Sequence, residues 1–305
     1  MDLRQLEALT AVAEHGRFSA AARALHTVQS NISTHVARLE EELGAILVDR
    51  SAGRLTPEGE VVLARSRRVN AELAALKADV ASMTSHVTGT VRLGVIGTTG
   101  RWLLPPWLDE LGKSHPDVEA RVVDSTTSAL IPLLESGELD LAVINIPQQH
   151  EEMVTSPLFT EDLVVVTPGH HPLAAGGDRS VSFADLEPHR LLLGPVGSNL
   201  RDHIDDAAGQ HRVRLRSLAE LDGIRLTATL AFQGYGPAIV PVTAIPAWAA
   251  RGDWNVLTLP EMPRRTVGLV MRRRGMLSAA ATAGRELIRA AVRETVPTIH
   301  GLAII

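Results

Sequence analysis

The sequence predicts an all-α N-terminal segment that ends in a long helix, followed by a domain of the α/β class. Helical periodicity fills the first 90 residues except at one small hairpin, and a heptad repeat without Pro or Gly runs from Glu60 to Val87. After Gly89 short β-rich runs alternate with helical stretches. That alternation is typical of a parallel sheet covered by helices, so the two parts are predicted to differ in fold class.

Three helices are expected before the hairpin. Apolar residues recur at every third position between Leu3 and Val12, and Gly16 ends this first helix. Ser19 is expected to cap a second helix over residues 20–25. A three-residue break precedes the third helix, whose apolar positions step by four, three and four until Gly44. A helix, a short break and a second helix form a helix-turn-helix.

A small strand–turn–strand over residues 46–56 is followed by Pro57, which suits the first turn of a helix. The apolar seam of this helix consists of Val62, Ser66, Val69, Leu73, Leu76, Val80 and Met83. Their spacing alternates between four and three residues over about four heptads, or about 40 Å of helix. A lone helix cannot bury such a seam, so we expect it to pair with the same helix of a second chain.

The remainder of the chain is predicted to be a parallel α/β domain. Its expected strands are 91–96, 118–124, 140–146, 163–167, 190–193, 213–218, 238–240 and 266–271. Its expected helices are 101–113, 128–135, 199–209, 223–232, 243–250 and 277–293.

Polar residues on the third helix suggest a surface for duplex DNA. Gln29, Ser30, Ser33 and Thr34 share the face opposite the apolar one, where short polar side chains can reach base edges in a major groove. The candidates for contacting phosphates are Asn31, His35 and Arg38 beside that face, and Arg50 and Arg54 at the hairpin. A generic three-helix bundle with solvated polar faces fits this pattern equally well.

Composition narrows the function classes. The chain has 305 residues, a formal net charge of −5 and no cysteine, which excludes disulfides, Cys-ligated metals and any thiol nucleophile or thiol switch. No apolar run is long enough to span a membrane and no secretory signal is recognisable, so we expect a cytoplasmic protein without a membrane partner. Catalytic and nucleotide-binding motifs are absent, and His170-His171 is interpreted as a surface turn. We therefore expect no enzyme activity, no catalytic residue, no metal and no cofactor.

Residues 1–59 resemble the winged helix-turn-helix of LysR-type transcriptional regulators. The family segment F-x-x-A-A-x-x-L-H-x-x-Q-x-x-(hydrophobic)-S is matched by Phe18, Ala21, Ala22, Leu25, His26, Gln29, Ile32 and Ser33. The segments L-E-x-x-L-G and R-x…L-T-x-x-G are matched by Leu39, Glu40, Leu43, Gly44, Arg50, Leu55, Thr56 and Gly59. The sequence departs from the family at Val28, where a Ser or Thr cap is usual, at Ser30 in place of Pro, and at Thr34 in place of Arg.

The resemblance implies the domain organisation and the partners. Residues 1–59 would bind DNA (helix-turn-helix 18–37) and 60–88 would form a dimerising linker helix. Residues 89–305 would bind an effector in a two-lobed domain like type 2 periplasmic solute-binding proteins, with lobe 1 at about 89–161 and 266–305 and lobe 2 at about 162–265. A homotetramer, built as a dimer of dimers, would bind and bend a partly palindromic promoter site, with RNA polymerase as a further candidate partner. Without cysteine, the chain is expected to lie outside the family's peroxide-sensing, thiol-switched branch.

The expected effector is a small molecule, with a carboxylate or another anion as the favoured class, in the cleft between lobes. The candidate effector residues are Thr98, Thr99, Arg101, Thr127, Ile146, Ser198 and Asn199. Helix N-termini with hydroxyl side chains can bind anions, although ordinary capping explains the same hydroxyls, and Arg101 fits a solvated surface residue equally well. Two other functions remain open: a sequestering protein whose N-terminal module has lost its DNA affinity, and an enzyme built on the two-lobed domain.

Overall fold

The computed structural model describes residues 1–51, 53–82, 86–146, 151–175, 179–245 and 252–305. They form a helical N-terminal module, a long helix and two β-sheets flanked by helices. None of the helices within these ranges combines the length and the apolar character needed to cross a membrane.

The N-terminal module is a three-helix core with a small hairpin. Its elements are α1 (Leu3–His15), α2 (Phe18–Ala24), α3 (Gln29–Leu43), β1 (Val48–Asp49) and β2 (Arg54–Leu55). Gly16 and Gly44 adopt left-handed conformations directly after α1 and α3, as the sequence predicts. Ser19 was predicted wrongly as a cap, because α2 already begins at Phe18 and its N-cap, Arg17, makes no side-chain capping bond.

The linker helix α4 (Pro57–Ser82) continues from the hairpin for 26 residues. Among the seam positions Val69, Leu76 and Val80 are exposed, and Val62 and Leu73 are half-buried. Ser66 is an exception, because it is fully buried within its own chain and donates to the Val62 carbonyl oxygen. Met83 lies outside the described residues.

The C-terminal part contains two sheets. Its strands are β3 (Gly89–Val95), β4 (Val118–Asp124), β5 (Leu141–Asn145), β6 (Met153–Glu161), β7 (Leu163–Pro168), β8 (Arg190–Leu193), β9 (Arg216–Glu220), β10 (Ala238–Pro241), β11 (Trp254–Thr258), β12 (Arg265–Arg272) and β13 (Leu302–Ile304). Its helices are α5 (Gly97–Ser114), α6 (Thr127–Ser136), α7 (Phe183–Leu186), α8 (Asn199–Gln210), α9 (Ile224–Phe232) and α10 (Ala279–Thr295). The first sheet has the order β13-β6-β12-β5-β3-β4 and the second the order β11-β7-β10-β8-β9.

Both sheets are mixed, so the predicted parallel arrangement holds for only part of each sheet. β3, β4 and β5 are parallel in the first sheet, and β8, β9 and β10 are parallel in the second. β12 runs antiparallel to both β5 and β6, and β7 runs antiparallel to β10 and β11. Parallel neighbouring strands need a crossover connection, which is usually a helix. The antiparallel strands lie where the chain passes from one sheet to the other, and within the described ranges no such helix connects them there.

The chain passes between the sheets twice. Asp162 alone separates β6 from β7, and residues 259–264 lead from β11 back to β12. Each sheet packs its own apolar core, around Trp107 and Phe159 in the first and around Phe183 in the second. Three strands (β6, β11 and β13) and the short helix α7 were not predicted. The predicted helix 243–250 is a short 3-10 turn at Val242–Ala244, and its residues 246–250 lie outside the described ranges.

Candidate functional site

The surface of α3 separates polar from apolar residues as predicted. Ile32, Val36 and Leu39 are buried in the module core. The outward residues Gln29, Ser30, Asn31, Thr34 and Arg38 are exposed, and Ser33 and His35 are half-buried. The structure therefore presents a continuous polar face at the beginning of α3.

The N-terminus of α3 has no side-chain cap. Its N-cap residue is Val28, whose side chain cannot accept a hydrogen bond and is 59% exposed. Asn31 Nδ2 donates instead to Thr27 Oγ1 over 3.0 Å. A phosphate group can accept from the first-turn amides of such a helix.

The hairpin is fixed to α3 by Glu40. Its Oε1 accepts from the amides of Leu47 and Val48 over 2.9 and 3.2 Å. Its Oε2 pairs with Arg50 Nη2 over 3.3 Å, and the Arg50 guanidinium lies over the Phe18 ring. Arg50 therefore already has partners in the free protein, whereas Arg54 is exposed at the hairpin.

A cavity of about 420 Å³ lies between the two sheets. Its lining includes residues at the N-termini of four helices, α5 and α6 from the first lobe and α8 and α9 from the second. No side chain caps α5, α8 or α9. Helix N-termini carry partial positive charge, so four of them at one cavity favour an anionic occupant.

A buried cation lines this cavity. Arg265, at the start of β12, is 5% exposed and its Nε donates to Glu161 Oε2 over 2.7 Å. Its Nη2 donates to Thr98 Oγ1 over 2.9 Å. Glu161 is fully buried and also accepts from the Thr243 amide and hydroxyl. The bonds to Glu161 and Thr98 use Nε and Nη2 of the guanidinium, not Nη1.

Besides the bonds between Glu161 and Thr243, further polar contacts join the lobes near the cavity. Asp124, the last residue of β4, forms an ion pair with Arg225 of α9. Gly97 lies beneath this pair, since a Cβ there would come within 2.8 Å of Asp124 Oδ1 and 2.9 Å of Arg225 Nε. Arg101 of α5 donates to the carbonyl oxygen of Thr243 in the other lobe. Burial and the positive charge of Arg225 lower the pKa of Arg101.

Four of the seven predicted effector residues line the cavity, namely Thr98, Thr127, Ser198 and Asn199. The other three do not. Thr99 is fully buried with an unpartnered hydroxyl, because successive residues of a helix point in different directions. Arg101 is used in the bridge between the lobes, and the Ile146 side chain packs against Gly268 of β12.

Several lining residues had no local sequence signal. Arg201, Arg225 and Arg265 are basic, Asp124 and Asp222 are acidic, and Asn145 has a buried Oδ1 without a partner. Arg201 donates to Asp205 and to the Gly194 carbonyl oxygen over 2.8 and 2.9 Å. Arg265 is the exception, because it and its buried partner Glu161 are each a single charged residue at the end of an apolar strand.

Comparisons with known proteins agree with this architecture. Residues 3–60 match the family model described as bacterial regulatory helix-turn-helix protein, lysR family, and residues 84–293 match the LysR substrate binding domain. The chain belongs to the LysR family of DNA-binding transcriptional regulators, which are not enzymes. The predicted fold class is confirmed.

Several of the similar proteins are named as hydrogen peroxide-inducible genes activators or as OxyR. The chain is 35% identical over 300 residues to a probable hydrogen peroxide-inducible genes activator of Streptomyces viridosporus, covering 96% of this chain and 93% of the relative. It is 30% identical to the DNA-binding transcriptional dual regulator OxyR of Escherichia coli, covering 95% of each. A full-length OxyR from Pseudomonas aeruginosa, with one cysteine replaced by aspartate, superposes with a TM-score of 0.74 at 26% identity, covering 96% of this chain and 95% of that one.

The expectation that this chain stands apart from that branch therefore needs correction. In sequence and fold it is similar to proteins named for hydrogen peroxide. The absence of cysteine excludes only thiol chemistry for this chain.

Proposed function

We propose that the chain binds a partly palindromic promoter site as a dimer of dimers and responds to a small anion in the interlobe cavity. Residues 1–59 would bind DNA, 60–88 would dimerise and 89–305 would bind the effector. The observation that supports this most is the cavity, in which four helix N-termini and Arg265 surround one space. A space of about 420 Å³ suits a small-molecule ligand.

The DNA contacts divide into two kinds. Gln29 and Ser33 would contact base edges, because they lie on the polar face of α3. Arg54 would contact phosphate from the hairpin. Gln29→Ala and Ser33→Ala should relax sequence preference, whereas Arg54→Ala should weaken binding to every duplex and reduce the salt slope by about 1.

The exposed seam of α4 supports pairing with a second copy. Val69, Leu76 and Val80 leave an apolar stripe in water on a helix that is docked by its other side. A twofold pair of these helices would present two DNA-binding modules, and protein symmetry would then require a partly palindromic site.

The effector would be recognised without covalent chemistry. Nη1 of Arg265 would bind a carboxylate or another anionic group, and the helix N-termini would add hydrogen-bond donors. Asn145 Oδ1 would accept from a donor on the ligand. Thr98 and Thr127 line the cavity and are predicted to contact the effector, so Thr98→Ala and Thr127→Ala should abolish the ligand response and leave DNA binding intact.

The proposal is tested by fluorescence anisotropy on the duplex upstream of the chain's own gene, over a salt series, with scrambled DNA as control. Binding at least about a hundredfold tighter than to the control would support it, a threshold set below the roughly 10³–10⁷-fold ratio that is typical of specific over non-specific affinity. Inorganic phosphate and a panel of small carboxylates would then be added to find those that change the affinity.

One alternative is favoured by a specific observation. Val28 leaves α3 without a side-chain cap, which would weaken the presentation of its first turn. If the protein bound no duplex even at low salt but still bound small anions, a sequestering protein would be the better interpretation.

A further inference from the structure

Helix α6 connects the effector cavity to the linker helix. Its first residues, Thr127 and Ser128, line the cavity. Its last residue, Ser136, is followed by Gly137 and Glu138, which contact α4. Ten residues of α-helix span about 15 Å, so this single element covers the distance between the two places.

The linker end of α6 is joined to α4 by an ion pair. Glu138 Oε1 accepts from Arg67 Nη1 over 2.7 Å. Ser136 Oγ, on the last turn of α6, donates to the same carboxylate oxygen over 3.0 Å and fixes its direction. Gly137 is in the left-handed conformation, and a Cβ there would lie 3.3 Å from Arg68 Cγ. A shift of the α6 C-terminus would therefore displace Arg67 and Arg68 of α4.

The same end of α6 is also bound by strand β12. Arg272 Nη1 donates to the carbonyl oxygens of Leu134 and Leu139 over 2.8 and 2.7 Å. Arg265, at the other end of this strand, lines the cavity. Helix α6 and strand β12 thus run side by side from the cavity to the linker.

The packing of α6 favours movement as one unit. Leu130 and Leu134 are fully buried in the first-lobe core, and Thr126 caps the N-terminus with its hydroxyl. Small sliding displacements of packed helices are one of the known ways in which proteins respond to a ligand.

We infer that Glu138 is a positioning residue that transmits the state of the cavity through α6 to Arg67 of the linker helix. The inference rests on the proposed function only in taking the signal to be effector binding. The physical claim is that the two ends of α6 are coupled. Arg67 also lies beside Arg54 and Leu63 in a second cavity, where the hairpin meets α4. A change at Glu138 would therefore reach the junction between the linker and the DNA-binding module.

The test uses the full chain without effector or DNA, so its failure is distinguishable from a failure of the proposed function. Ser128→Asp places a negative charge in the first turn of α6, as an anion in the cavity would. Hydrogen exchange of residues 127–136 and 60–75 is measured in this variant, in Glu138→Gln and in the double variant. Glu152→Gln is the matched control, because Glu152 pairs with α4 through Arg68 at 4.0 Å and is not part of α6.

The expected result is that Ser128→Asp changes exchange in both segments by about threefold or more. The change in residues 60–75 should disappear when Glu138→Gln is added and persist when Glu152→Gln is added. Arg67→Gln should abolish it as well, and the charge exchange Glu138→Arg with Arg67→Glu should restore it. An equal change in residues 60–75 with and without the Glu138 carboxylate, or no change there in the single variant, would overturn the inference.

Discussion

The buried pair of Glu161 and Arg265 should dominate the stability of the two-lobed part. Glu161 has no solvent exposure and Arg265 is 5% exposed, so removing the cation leaves a carboxylate in the protein interior without its counter-charge. Breaking a buried pair in this way costs about 3–5 kcal/mol of unfolding free energy. For a unit of about 200 residues, each kcal/mol lowers Tm by about 2–4 °C. Arg265→Met should therefore lower Tm by about 6–20 °C.

The chain offers a matched control in the next residue. Asp162 forms an ion pair with Arg264 over 2.6 Å, but both side chains are about 40% exposed. Solvent screens such a pair, and its loss costs under about 1 kcal/mol. Asp162→Asn should therefore lower Tm by less than about 4 °C.

Calorimetry on the full chain measures both effects, together with a Glu161→Met and Arg265→Met double variant. The double variant should recover part of the loss, since neither charge is then buried alone. Full recovery is not expected, because the Thr243 amide and hydroxyl lose their acceptor. The reasoning would be refuted if Arg265→Met cost no more than Asp162→Asn, or if the double variant lost the sum of the single losses.

Three further predictions concern other parts of the chain. Val28→Ser supplies the missing cap of α3 and should stabilise the N-terminal module by about 0.5–2 kcal/mol, whereas Val28→Ala should not; urea unfolding of both variants decides this. Burial, assisted by the charges of His189 and His170, lowers the pKa of His171 from 6.5, so the unfolded chain binds more protons and stability falls as the pH drops below about 6.5. His171→Asn keeps an acceptor for the Leu173 amide and should flatten the decline of Tm between about pH 7.5 and 5.5; an unchanged decline would contradict this origin. Hydrogen peroxide should leave DNA affinity within about twofold, because the chain has no thiol; a dose-dependent tenfold change in anisotropy titrations would show sensing by another group.

The N-terminal module could be predicted closely because its signals are local. Gly16 and Gly44 end α1 and α3 where left-handed residues are needed, and the polar face of α3 follows from spacing alone. The strands at Val118–Asp124 and Arg190–Leu193 match the predicted bounds for the same reason. Each of these features is determined within a few residues of sequence.

The cavity could be predicted only in part because its charges meet over long sequence distances. Arg265 donates to residues 104 and 167 positions away, Glu161 and Thr98, and no periodicity connects them. The resemblance located Thr98 and Thr127 because hydroxyls at helix N-termini recur in this fold. Arg101 was a candidate only because of its charge near the cleft, with a solvated surface residue as the alternative, and the structure has it donate to Thr243 of the other lobe.

This chain has no cysteine, so a thiol cannot detect its signal. The residues proposed to carry the signal from the cavity to the linker helix are a separate set. Relatives named for hydrogen peroxide share the fold over nearly the whole chain, yet this protein has no thiol to oxidise. The contacts that join the cavity to the linker, from α6 to Glu138 and Arg67, need no sulfur chemistry. Any event that moves the N-terminus of α6, whether a covalent change or a bound anion, would displace the same ion pair. In this chain a signal that needs no thiol would therefore reach the DNA-binding module through the proposed contacts between α6 and the linker helix.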